Sequence, residues 1–131
     1  MPEVTRQRPK FLALNEIRLP LAGIASILHR VSGAGLFLML PLLVWLLQLS
    51  LGSTPESVAT FKAVADNLFV RLILLGLVWA FLHHFCMGIR LLLIDMHIGV
   101  EKQQSHKSAK AVMAVSLTLT LIFGLKLLGI Y

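Results

Sequence analysis

Three long apolar runs, separated by two polar stretches, dominate the pattern along this chain. Val31 to Leu51 contains no charged residue, and Leu72 to Ile89 is equally free of charge between Arg71 and Arg90. Ala111 to Tyr131 carries only Lys126, near enough to the end for its ammonium to reach the headgroups along a flexible stem. A bilayer-spanning helix needs roughly 17–25 mainly apolar residues, so each run is long enough to cross. The expected fold is an all-α membrane protein with three transmembrane helices, at about residues 21–51, 69–95 and 108–131, after an arm at 1–20. Pro20 is placed to open the first helix, because its fixed φ suits a first turn. "GSTPES" at 52–57 is turn chemistry, with Ser53 or Thr54 ahead of Pro55 able to cap a short interfacial helix through about Asn67. "IGVEKQQSHKS" at 98–108 reads as a solvated loop. Trp45 and Trp79 fall inside the spans and mark neither interface.

Composition agrees with this pattern. At 131 residues the chain is expected to form one membrane domain. With 57% hydrophobic and 14% charged residues it is too apolar for an ordinary soluble fold. The first run is read as a retained span and not as a cleaved signal peptide, since it is too long and no A-x-A-type site follows it. The lone Cys86 rules out an internal disulfide and argues against a cysteine-bound cluster.

A net charge of +6 raises the question of nucleic acid, which the distribution of that charge answers in the negative. Arg6, Arg8, Lys10, Arg18 and Arg30 lie in the first 30 residues, and Arg90, Lys102, Lys107 and Lys110 lie around the second loop; residues 52–71 hold only Lys62 and Arg71. That alternation predicts a cytoplasmic basic amino-terminal arm and second loop, with N-in, C-out topology.

Two polar clusters then fall at one membrane face. In "IASILHRVSG" (24–33), Ser26, His29, Arg30 and Gly33 follow helical i, i+3, i+4, i+7 spacing. A hydroxyl, an imidazole and a guanidinium on one stripe suit a ligand bearing carbonyl or carboxylate oxygens, and Gly33 leaves room for something bulky. The competing reading is a wet helix end whose arginine reaches lipid phosphate. In "FLHHFCMGIRLLLID" (81–95), His84 lies about 8 Å inside the end of its span and shares a face with Gly88, again leaving room for a flat group. A neutral imidazole is a good axial haem ligand. His83, about 100° round the helix, is more simply a packing or hydrogen-bonding residue, and a histidine paired to a neighbouring helix is the competing reading of His84 too. A bis-histidine haem would need its other ligand from His29, from a second copy, or from another chain.

"RP" at 8–9, "ASILHRVSG" at 25–33 and "HFCMGIRLLLID" at 84–95 together resemble the cytochrome b large membrane-anchor subunits of succinate dehydrogenase, respiratory complex II. The likeness spans essentially the whole chain, and the paired H-R-x-(S/T)-G and H-x-x-x-G-(I/V)-R motifs are specific where either alone would be weak. The resemblance implies that His84 is one axial ligand of a single b-type haem whose other ligand comes from a second, smaller anchor subunit. It implies that Ser26 and Arg30 line a ubiquinone pocket beside the iron–sulfur subunit, and that His29 and Arg30 neighbour the haem propionates. Asp95 matches an acidic position with a supporting role. FAD and the iron–sulfur clusters would reside on the flavoprotein and iron–sulfur partner subunits, and the setting would be the bacterial inner membrane. Many bacterial relatives carry a histidine after G-I-R; Leu91 stands there in this chain, which puts in doubt a propionate contact at that point. The rival expectations are a fumarate-reductase-type anchor using menaquinone, a haem-free structural anchor that recruits a soluble partner, and a self-contained cytochrome of two identical chains.

Overall fold

The computed structural model describes residues 7, 8 and 10–130; Arg6 and Pro9 of the basic arm and Tyr131 at the end of the third run lie outside the described residues. Four helices follow the arm: α1 (Leu21–Leu51), α2 (Pro55–Ala65), α3 (Leu68–Asp95) and α4 (Lys102–Leu127), with no strand among the described residues. α1, α3 and α4 are each long and apolar enough to cross a membrane. With 31 residues α1 is about 46 Å long, more than a hydrocarbon core of about 30 Å requires.

The local chemistry explains the boundaries. Pro20 is the N-cap of α1, and its carbonyl accepts the first helical bond from the Ile24 amide at 3.1 Å. Thr54 caps α2 by accepting from the Ser57 amide, with Pro55 filling a position that needs no donor. α2 stops at Ala65, before the expected end near Asn67, because Asn67 is used to cap α3: its Oδ1 accepts from the amides of Phe69 (2.9 Å) and Val70 (3.3 Å). Arg71 closes the corner with an ion pair to Asp66 at 2.6 Å.

α4 begins at Lys102, inside the stretch expected to be loop. The physical reason is a tertiary partner. After a turn through His97 and Gly99, both at positive φ, the first two turns of α4 come to lie over Arg90 of α3. Arg90 Nε donates to Ser108 Oγ at 2.9 Å, and Nη2 donates to Ser105 Oγ at 2.8 Å and to the Ser105 carbonyl at 3.2 Å. Only 7% of Arg90 is exposed, so the charge counted as a cytoplasmic positive is committed to holding two helices together.

α3 packs against both α1 and α4, which also touch each other. The buried positions are mostly small: Ala25 and Ser32 on α1, Ala80 on α3, Ala109, Ser116 and Gly124 on α4. Without a hydrophobic drive between helices in lipid, close approach through small residues is what gains packing contacts. Met87 fills the centre against Ala25 and Val112. On α3 the inward stripe is Ala80, His83, Met87 and Arg90, at helical spacing. Phe37, Leu38, Leu47, Phe69, Phe81 and Phe85 all face outward.

Replacing Arg90 by Met, which keeps the length but donates nothing, should cost about 2 kcal/mol through the lost charged hydrogen bonds. Thermal unfolding of the detergent-solubilised protein checks this; an unchanged midpoint would contradict the clamp.

Candidate functional site

The α1–α3 seam brings the two sequence clusters together at one end of the bundle. Gly33 makes the approach possible. A Cβ there would stand 2.8 Å from Cε1 and 3.2 Å from Nδ1 of His84, so the space that a bulky ligand was expected to use is filled by the His84 ring. His84 Nδ1 lies 3.0 Å from the His29 carbonyl oxygen. A carbonyl can only accept, so Nδ1 carries the proton and the lone pair of the neutral ring is on Nε2. Nε2 makes no hydrogen bond among the described residues.

His29 lies flat on His84, ring centroids 4.1 Å apart and planes 9° apart. Face-to-face rings at that spacing cannot place an iron between a nitrogen of each, so in this arrangement His29 does not supply the opposite axial ligand. Ser32, 2% exposed, donates to the His29 carbonyl at 2.9 Å and sits 3.4 Å from His84 Nδ1.

His83 is fully buried and uses its other nitrogen: Nε2 donates to the Ala25 carbonyl at 3.0 Å. Trp79 stacks on it with centroids 5.2 Å apart. His83 Nδ1 and Trp79 Nε1 are left buried without partners among the described residues, an acceptor and a donor respectively. Consecutive histidines of α3 thus bond two α1 carbonyls one helical turn apart.

The remaining candidates are more peripheral. Ser26 is half-buried, and Arg30 is exposed, with no hydrogen bond or ion pair among the described residues. Asp95, at the end of α3, is exposed and unpaired among the described residues. It lies three turns beyond His84 on the same face, about 16 Å along the axis. Ser32 and Arg90 are structural participants that sequence reading did not single out. The signal for Ser32 was its place in H-R-x-(S/T)-G; for Arg90 it was the end of H-x-x-x-G-(I/V)-R and helical register with His83 and Met87.

The family model for the succinate dehydrogenase/fumarate reductase transmembrane subunit matches residues 4–123. The chain belongs to this family. It is 36% identical over 123 residues to the succinate dehydrogenase cytochrome b556 subunit of Paracoccus denitrificans, covering 93% of this chain and 94% of the relative. The subunit of the same name from Coxiella burnetii is 30% identical over 118 residues, 90% and 94% of the two chains. That from Rickettsia felis is 28% identical over 120 residues, 92% and 93%. This member of the succinate dehydrogenase/fumarate reductase family is accordingly a cytochrome b-type membrane anchor, a multi-pass subunit of an enzyme complex.

The residues present fit a b-type haem. An imidazole with Nδ1–H tied to a backbone carbonyl and Nε2 free is the donor that haem iron takes. One turn along, a Cβ on Gly88 would meet nothing within 4 Å, so there is open space beside that nitrogen's face of α3. His83 is engaged at Nε2 and enclosed, and does not compete. Replacing His83 by Leu should cost about 1 kcal/mol in thermal stability, the worth of one neutral hydrogen bond, and leave haem content per folded protein intact. Loss of haem as complete as in a His84 variant would shift the ligand assignment to His83.

Proposed function

We propose that this chain is a membrane-anchor subunit of succinate:ubiquinone oxidoreductase, holding one face of a b-type haem through His84 and forming part of the ubiquinone-reduction site with Ser26 and Arg30. The observation that carries the reading is the state of His84: Nδ1–H donated to the His29 carbonyl, Nε2 unengaged, and space at Gly88. The stacked His29 is badly placed to give the other axial ligand, which therefore comes from outside this chain; the family resemblance points to a second small anchor subunit as its source. His29 and Arg30, at the same end of α1, are the groups available to haem propionates, and Asp95 supports the same face of α3. FAD and the iron–sulfur clusters belong to the flavoprotein and iron–sulfur subunits. The concentration of Lys and Arg before α1 and between α3 and α4 supports N-in, C-out insertion in the bacterial inner membrane, with the basic arm toward those soluble partners.

Haem, when bound, supplies a centre that takes up and releases one electron. The chain's own residues do the rest. The His29 carbonyl holds the proton on Nδ1 of His84, so that the nitrogen facing outward is the one with a lone pair. Arg30, free of any intramolecular partner among the described residues, offers five fixed donors to a quinone oxygen on which negative charge builds. Ser26, one turn earlier, adds a hydroxyl that accepts or donates as the oxygen changes protonation. In a site closed off from water by partner subunits, such preoriented groups act most strongly.

The direct test is a reduced-minus-oxidised visible spectrum of the gently solubilised complex, purified through a tag on this chain, with succinate as reductant. A b-type α-band reduced by succinate is expected; no band with succinate or dithionite would overturn the haem assignment. His84→Ala should abolish or strongly weaken that band while sparing part of the quinone reduction. For Ser26→Ala and Arg30→Ala the expectation is a fall in succinate-to-quinone turnover of about 10²-fold. Succinate oxidation by an artificial acceptor should hardly change; equal loss in both assays would reassign these residues to assembly.

A further inference from the structure

We propose that Ser32 is a positioning residue for His84: its buried hydroxyl, together with the His29 carbonyl, locks the imidazole in the Nδ1–H tautomer and ring plane that present Nε2 outward. The proposal rests on the reading of His84 as a haem ligand, and it adds a residue that acts through that histidine.

Three atoms carry it. Ser32 Oγ, the His29 carbonyl oxygen and His84 Nδ1 form a triangle with sides of 2.9, 3.0 and 3.4 Å. Ser32 has one proton to give, and it goes to the carbonyl, the shorter contact. Toward Nδ1 the hydroxyl therefore presents only lone pairs, and so does the carbonyl. Nδ1 faces two acceptors at once. With its proton on Nδ1 the ring satisfies both as a three-centre donor. With the proton on Nε2, the tautomer a histidine prefers in water, the Nδ1 lone pair would confront two oxygens. Ser32 could relieve this only by turning its proton away from the carbonyl, leaving His29 O and Nδ1 in repulsive contact at 3.0 Å.

The position of Ser32 makes this a fixed device. It is 2% exposed and lies in a membrane-spanning helix, where water is not at hand to substitute for either oxygen. Gly33 sets the distance: the ring reaches these oxygens only because no Cβ stands there. The stacked His29 ring covers one face of His84 and limits rotation about its outer bond. Of the two oxygens at His84 Nδ1, the Ser32 hydroxyl is the one that a substitution removes without altering the backbone.

The test reads the tautomer first, without haem. The full chain, labelled with ¹⁵N in the histidine rings and held in detergent or nanodiscs at about pH 8 so that imidazoles are neutral, gives separate nitrogen shifts for the two tautomers. His84→Gln identifies the signal. In the wild-type chain His84 should be the Nδ1–H form. Ser32→Ala should lower the ratio of Nδ1–H to Nε2–H by about fivefold, and Ser32→Thr, which keeps the oxygen, should restore it. Gly33→Ala, which leaves both oxygens but pushes the ring away, should lower the ratio as well. An unchanged ratio in Ser32→Ala, or a wild-type ring in the Nε2–H form, overturns the proposal. The assembled complex gives the second reading. Haem-loaded Ser32→Ala should keep most of its haem but show a raised midpoint potential, since an imidazole with one acceptor fewer at Nδ1 donates less to iron. It should also show altered low-spin ferric g-values, from a ring free to turn. Unchanged potential and g-values would also overturn it. Failure of the haem reading looks different: no α-band in the wild-type complex, whatever the tautomer of the empty chain.

Discussion

The close approach of α3 to the backbone of α1 is the constraint on which the rest of this structure depends. His83 and His84 each reach a main-chain carbonyl of α1, at Ala25 and His29, over 3.0 Å. A side-chain nitrogen can meet a carbonyl already inside a helix only if the facing side chains are small. Ala25, Ser32 and Gly33 meet that demand, and Gly33 has no room for even a methyl group. The usual membrane solution of packing through small residues here does a second task, since it puts both imidazoles against main-chain carbonyl oxygens. Helix packing and ring tautomer are decided by the same contacts.

The two histidines show how adjacent residues acquire opposite roles from one scaffold. Turned about 100° apart, His83 points into the bundle and His84 along its edge. His83 gives its Nε2 proton to Ala25 and is sealed in by Trp79. His84 gives its Nδ1 proton to His29 and keeps Nε2 for whatever lies beyond the chain. At the far side of α3, Arg90 spends its guanidinium on Ser105 and Ser108, which secures α4 and leaves Arg30 as the cation near the histidines without an internal partner among the described residues.

The three long helices were legible because hydropathy over 20-odd residues is a one-dimensional property, and the cap at Thr54 is local chemistry; Asn67 was read as the end of the short helix and proves to cap α3. The start of α4 was not, because Lys102 to Ser108 is polar and its helicity is supported by Arg90, distant in sequence. Motif spacing brought Ser26, His29, Arg30 and His84 into view, but it could not say what Gly33 makes room for. The stripe rule gave a vacancy; only the packing of α3 shows that the His84 ring fills it. Ser32 stood in the H-R-x-(S/T)-G motif without a legible role: a serine in a membrane helix usually bonds its own backbone, as Ser116 does to Met113, and its second contact exists only in three dimensions. Relatives at 28–36% identity supplied the family, while the roles of particular side chains remain matters of geometry and test.

The groups proposed to meet haem and quinone lie at or near the surface of the described chain. Ser26 is half-buried, Arg30 and Asp95 are exposed, and His84 holds its free nitrogen on the outer side of a ring whose inner side is fully engaged. A chain that enclosed a cofactor alone would bury those groups; here the buried polar side-chain atoms left without partners among the described residues are Trp79 Nε1 and His83 Nδ1, inside the bundle. In the proposed assembly the haem is then shared between two anchors, and a group bound by both stabilises their association by the free energy with which it binds the pair. Electron transfer and subunit cohesion would draw on the same iron–nitrogen bond. The tautomer of His84, set inside this chain before any partner arrives, would thus bear on assembly as well as on redox chemistry.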